Sequence, residues 1–233
     1  MDDLSVIIPV LNEDHQTITG IVKKLHSYGA EVIVVDDGSA NPYPKAVKHG
    51  FKSGYGGAIL TGIANSTRSY VMTLDGDGQH TPEEALKLYQ AWKLMDCDML
   101  VGSRRMHNDY LLRYLGRKIL NMIASVVATY WLNDLNSGMR IFSKKIAYGY
   151  KDILCKQFSF TTSLTMSMIC DRYRVEFFPI NVQERKHGAS RVRIIKHGFI
   201  TLWYILKIGF AIRTRKLRRF LRILLGKETF RYS

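Results

Sequence analysis

Several things are scarce in this 233-residue sequence, and each scarcity narrows what it can be. There are three cysteines, Cys97, Cys155 and Cys170, odd in number, far apart and without a CxxC pair. That argues against a disulfide framework or a thiolate zinc site and predicts a reducing compartment. Repeats and low-complexity tracts are missing too. With 46% hydrophobic and 23% charged residues, the composition excludes a disordered or collagen-like chain. Long apolar runs are also lacking: the best stretch, residues 198–212, covers 15 residues and includes Lys207. As a helix it spans about 22 Å, short of the roughly 30 Å hydrocarbon core of a bilayer. The opening Met1-Asp2-Asp3 lacks the positive charge of a secretory signal, which predicts a chain on the cytoplasmic side.

Acidic residues all but vanish from the C-terminal end. Residues 185–233 hold 14 Lys and Arg against Glu228 alone, whereas residues 1–184 hold 20 against 19, so most of the net charge of +14 belongs to the tail. Such a tail seeks polyanions, whether nucleic acid, an anionic leaflet or a phosphorylated ligand.

What is present is a strand-helix alternation. β-branched runs at 4–10, 31–36, 70–75 and 98–102 are separated by helical patterns at 14–28, 56–64 and 82–95. Thr81 is the N-cap of the last of these, with Pro82 at its first position and Glu83-Glu84 in its first turn. A long helix is expected over 111–131, a strand over 139–142, a helix over 161–172, a strand over 174–180, and two amphipathic helices beyond residue 191. This is an α/β pattern: a mostly parallel sheet with helices on both faces, as residues 1–191, followed by a basic amphipathic tail at 192–233.

Open parallel sheets bind ligands beyond the carboxyl ends of their strands. Three polar clusters fall there: Asn12-Glu13, Asp36-Asp37-Gly38-Ser39 and Asp75-Gly76-Asp77-Gly78-Gln79. In the last, two carboxylates two residues apart, with Gln79 repeating the spacing, suit a hard cation such as Mg2+ or Mn2+ that takes further oxygens from a diphosphate. An EF-hand does not fit, because its glycine position is His80 and its bidentate glutamate position is Leu86. Gly54-Tyr55-Gly56-Gly57 only superficially resembles a dinucleotide fingerprint, and a structural turn is the better reading. Cations follow in the second half: Arg104 and Arg105, Arg113 and Arg117, Arg140, and the loop from Arg185 to Arg191. As a set opposite a metal-diphosphate site, two or three of them are expected to touch phosphate. The seven histidines show no metal-ligand spacing and are read as non-catalytic.

The run Ser5-Val6-Ile7-Ile8-Pro9, then Val34-Val35-Asp36-Asp37-Gly38-Ser39, then Asp75-Gly76-Asp77 with Gln79-His80-Thr81-Pro82-Glu83, resembles the inverting family-2 glycosyltransferases and their A-type Rossmann-like fold. Gln79, Gly102-Ser103-Arg104, Asn136-Ser137-Gly138-Met139-Arg140 and the Arg185 to Arg191 loop are similar to the polyprenyl-phosphate subgroup, which includes the dolichol-phosphate mannose synthases. The resemblance implies that Pro9, Leu11, Glu13, Val35, Asp37 and Gly76 line the nucleotide pocket and that Asp75, Asp77 and Gln79 address the metal. It also implies that Arg104, Arg117, Arg185 and Arg191 handle donor and acceptor phosphates.

The implied partners are a nucleoside-diphosphate sugar, a polyprenyl phosphate and an anionic membrane surface, met peripherally, with homo-oligomerisation left open. A polyprenyl monophosphate is largely dianionic at pH 7 and needs no catalytic base. A saccharide hydroxyl acceptor would need one, and Asp134 is then the candidate. A non-enzymatic peripheral membrane protein is a further alternative. Nucleic-acid binding is disfavoured, since the aromatics of the tail interleave with apolar rather than polar residues.

Overall fold

The computed structural model describes residues 1–104, 111–183 and 194–224. Seven strands form one sheet: β1 (Leu4–Val10), β2 (Glu31–Asp36), β3 (Val47–Lys48), β4 (Tyr70–Thr73), β5 (Met99–Arg104), β6 (Arg140–Ser143) and β7 (Val175–Ile180). Their order is β3-β2-β1-β4-β6-β5-β7. All neighbours are parallel except at β6, which runs antiparallel between β4 and β5, with Thr73 opposite Arg140 and Val101 opposite Arg140. The sheet is thus mostly parallel with one reversed strand.

Among the described residues seven helices flank it: α1 (His15–Ser27), α2 (Tyr55–Asn65), α3 (Pro82–Leu94), α4 (Leu111–Ala128), α5 (Lys144–Gly149), α6 (Phe160–Cys170) and α7 (Ile194–Leu224). β1 reads as an almost continuous apolar run because both its faces are covered. Val6, Ile8 and Val10 enter a core with Ile18, Ile21 and Leu25 of α1 and Ala85 and Leu88 of α3. Ile7 enters the opposite core with Ile59 and Ile63 of α2, Leu164 of α6, and Ile205, Ile208 and Ile212 of α7. The N-terminus of α3 is capped as its sequence predicts, the Thr81 hydroxyl accepting the Glu84 N–H at 3.2 Å.

The C-terminal segment departs from expectation in one respect. It forms a single helix of 31 residues, not two. It contains no proline, and Gly209 marks a close approach, not a break: a Cβ there would lie 2.4 Å from Val127 Cγ1 of α4. Two short elements, β3 and α5, have no counterpart in the sequence reading. Among the described residues no helix is long and apolar enough to cross a membrane.

Candidate active site

Parallel packing brings the C-terminal ends of β1, β2 and β4 to one rim. Pro9 stands opposite Val35 in register, with Pro9, Leu11 and Glu13 half-buried and Val35 buried. The two aspartates after β2 have different work. Asp36 faces inward and accepts the N–H groups of Gly38, Ser39 and Tyr43, so it builds the turn. Asp37 accepts the N–H groups of Ser53 at 2.7 Å and Gly54 at 2.9 Å, and contacts His49 Nδ1 at 2.9 Å. It therefore fixes the turn into α2, where Gly54 has φ +89° and Gly56 leaves no room for a Cβ against the Cys155 carbonyl. The glycine-rich segment is a packing device, as read from the sequence.

The Asp75-Gly76-Asp77 turn follows β4. Gly76 is required because a Cβ there would meet Val10 Cγ1 at 2.8 Å. Asp77 Oδ1 accepts the Gln79 N–H at 3.0 Å, and the Gln79 carbonyl accepts the Gln183 N–H at 2.9 Å. The Asp75 side chain is 31% exposed, with Oδ1 accepting the Tyr55 hydroxyl at 2.9 Å and Oδ2 lying 3.9 Å from His80 Nε2. Burial holds His80 below the usual imidazole range, with Asp75 opposing, so it stays neutral near pH 7. Burial, reinforced by Asp75, raises the Tyr55 phenol well above its usual value and keeps it a donor.

Among the described residues no three His, Cys, Asp or Glu side chains converge as a metal cage. The donor set instead fits a hard divalent cation held by one or two carboxylates, with a diphosphate and water supplying the remaining oxygens. Asp75 and Asp77 have that spacing, and Asp75 has the exposure for it.

On the opposite side Arg104 grips Asp134 through two parallel bonds, Nε to Oδ2 at 2.8 Å and Nη2 to Oδ1 at 2.9 Å. Burial would lower the Arg104 guanidinium, but Asp134 and then Asp75 more than offset that and raise it. His80 in turn feels Asp75, Arg104, Asp77 and Asp134, which gathers all five into one electrostatic neighbourhood. Arg140 is a correction. Expected among the phosphate-facing cations, it is fully buried, because β6 turns its side chain under α6. Arg105, Arg185 and Arg191 lie outside the described residues, as do the side chains of Arg113 and Arg117 on α4. Tyr55 and His80 were missed as site residues, and Arg104 and Asp134, each singled out from the sequence, were not read as a pair. The available signals were the burial implied for a His next to the acidic turn and the single aromatic between close-packed glycines.

The family model Glycosyl transferase family 2 matches residues 5–151. A UDP-N-acetylglucosamine–dolichyl-phosphate N-acetylglucosaminyltransferase of Methanococcus voltae is 29% identical over 173 residues, 60% of this chain and 68% of that protein. The polyprenol monophosphomannose synthase of Mycolicibacterium smegmatis is 28% identical over 213 residues, 80% of this chain and 80% of that one. Glucosyl-3-phosphoglycerate synthase from Mycobacterium tuberculosis, crystallised with Mn2+, UDP and glucosyl-3-phosphoglycerate, shares the fold. Its TM-score is 0.70 at 15% identity, covering 89% of this chain and 80% of that one. With the family matched across the strands and turns that build this rim, the chain belongs to glycosyl transferase family 2 and is a glycosyltransferase.

Proposed function

We propose that this glycosyltransferase moves a sugar from a nucleoside-diphosphate donor to a polyprenyl phosphate, with inversion at the anomeric carbon. The observation that carries the choice of acceptor is the Arg104–Asp134 pair. Asp134 is the carboxylate a hydroxyl acceptor would need as base, and both its oxygens accept from Arg104. A phosphate dianion needs a positioned cation instead, and Arg104 stands where β5 delivers one. The two relatives named for dolichyl-phosphate and polyprenol-phosphate chemistry support the same reading.

In this reading Pro9, Leu11, Glu13, Val35 and Asp37 form the nucleotide side, and Gly76 lets the diphosphate approach the main chain. Asp75, Asp77 and Gln79 would hold Mg2+ or Mn2+, which supplies positive charge to the departing nucleoside diphosphate. Arg104 orients the acceptor phosphate, assisted by Arg117, Arg185 and Arg191. The neutral His80 backs Asp75 without competing for its charge.

The enzyme works peripherally at the cytoplasmic face of an anionic membrane. Supporting this, Leu115, Ile119, Met122 and Val126 of α4 and Phe199, Trp203, Leu206 and Phe210 of α7 are exposed. Each set follows i, i+4, i+7, i+11, and neither helix contains an acidic residue. The full chain is expected to bind anionic liposomes at low salt and leave them at high salt.

The deciding experiment offers a panel of nucleotide-sugars with Mn2+ to a polyprenyl phosphate and, separately, to soluble saccharides. Lipid-linked product with inverted anomeric configuration by NMR is expected. Turnover onto saccharide hydroxyls alone would overturn the acceptor assignment.

A further inference from the structure

Arg140 closes the motif Asn136-Ser137-Gly138-Met139-Arg140, yet the proposed chemistry leaves it without a task. All five of its N–H donors are used. Nε donates to the Ser137 carbonyl at 3.2 Å, and Nη1 donates to the Thr161 carbonyl at 2.8 Å and the Thr165 hydroxyl at 2.7 Å. Nη2 donates to the Leu135 carbonyl at 3.1 Å and to the Ser137 carbonyl again. Burial pushes the guanidinium down to about 10, so it remains a cation at neutral pH. Withdrawing a cation from water is costly, and an apolar side chain of similar volume would fill the space more cheaply. The reason to keep a guanidinium lies in what its fork holds.

What it holds is the segment 134–138, which joins the two sides of the site. Asp134 at its start grips Arg104. Asn136 in its middle accepts the Thr162 hydroxyl at 2.8 Å. Gly138 at its end accepts the Thr73 hydroxyl at 2.5 Å and abuts Asp75, so closely that a Cβ would lie 2.1 Å from Asp75 Oδ2. The segment is a strut between the cation and the carboxylate, and Arg140 braces it from below.

We infer that Arg140 is a positioning residue: by saturating the carbonyls of Leu135 and Ser137 it sets the spacing between Arg104 and Asp75, and thereby between acceptor and donor phosphates. The inference rests on the transferase reading above and deepens it. Lysine cannot replace it, because a point charge with three donors cannot reproduce a planar fork of five.

The test is a cycle in the full-length protein of Arg140→Lys, Gly138→Ala and the double variant, using a donor and acceptor that the wild type turns over. Each single variant is expected to lower kcat per folded molecule about 100-fold, the effect of roughly a 1 Å misplacement, with donor KM changing less than about 5-fold. Because both act through one strut, the double variant should be no worse than the weaker single. Hydrogen exchange at 134–138 should quicken in Arg140→Lys while β1 and β2 stay protected, a readout that requires no substrate. If Arg140→Lys does not fold, Thr165→Val takes its place in the cycle, removing one acceptor while the guanidinium remains. Wild-type kcat in a folded single variant, multiplying losses in the double, or faster exchange without a loss of kcat would each overturn the role. A wild type that turns over saccharide acceptors alone would overturn the acceptor reading and leave the exchange result to judge the strut.

Discussion

On the acidic side of the cleft, Asp36 and Asp37 take N–H groups from 2 to 17 positions away, all within the turns that follow β2. On the basic side, Arg104 reaches Asp134 across 30 positions and Arg140 reaches Thr165 across 25. Asp36 and Asp37 are placed by turn geometry written in nearby residues, whereas Arg104 and Arg140 are placed by tertiary packing. The two sides should therefore respond differently to substitution. Asp36 and Asp37 are builders of their turns and Asp75 and Asp77 are proposed as binders, while Arg104 and Arg140 are each tied to partners whose loss they would feel.

The largest effect expected is at the binders. Asp75→Asn and Asp77→Asn should each lower kcat on the order of 10²–10³-fold, through lost electrostatic stabilisation of the leaving group, and excess chelator should do the same. Stability in urea should shift by less than about 1 kcal/mol. A variant with full turnover would end the distinction between the aspartates after β4 and those after β2.

The builder should show the reverse. Asp36→Ala leaves three main-chain N–H groups without their acceptor and should cost about 3 kcal/mol in urea unfolding, with turnover per folded molecule within about 3-fold of wild type. Collapse of turnover at unchanged stability would place Asp36 among the binders.

Gly209→Ala probes the packing side without touching a charge. Its Cβ would press Val127 of α4, and about 1–3 kcal/mol of destabilisation is expected from overpacking. Differential scanning calorimetry reads it directly, and an unchanged melting temperature would show that α4 and α7 are not in firm contact.

The smallest effect serves as a control outside both sides. Burial would raise the Glu84 carboxyl, but Lys87 and the Asn181 N–H more than offset that and hold it below the usual carboxylate range. A depressed carboxyl contributes stability above its unfolded pKa and loses it as pH falls through the folded one. Glu84→Gln should thus cost less than about 1 kcal/mol at pH 7, with the gap closing below pH 4. A gap that persisted at pH 3 would mean that shape, not charge, matters there.

Legibility followed the same divide. The strand ends and their aspartates could be read because β-branched runs end where polar turns begin, and the strands lie close to the expected ranges. That Asp36 and Asp37 both build the turns after β2 while Asp75 stays 31% exposed could not be read, since identical side chains differ there only in which way the main chain points them. Arg140 was grouped with the phosphate-facing cations for a related reason. β6 is four residues long, and a strand inserted antiparallel between parallel neighbours leaves no mark in its own composition. The single long α7 was hidden because Gly198 and Gly209 look like interruptions until the valine that faces Gly209 is known.

The reversed strand also bears on how the molecule comes into being. All of β1, β2 and β4 lies within residues 4–73, whereas the Thr73–Gly138 bond needs the chain to extend to β6, which lies between β4 and β5. In chain order the acidic rim is therefore complete before the segment that carries Asp134 and Arg140. A ribosome-bound chain that has emerged only through β5 would already carry the aspartates that follow β2 and β4, but neither Asp134 nor Arg140. The bracing of residues 134–138 against Asp75 can form only when β6 docks.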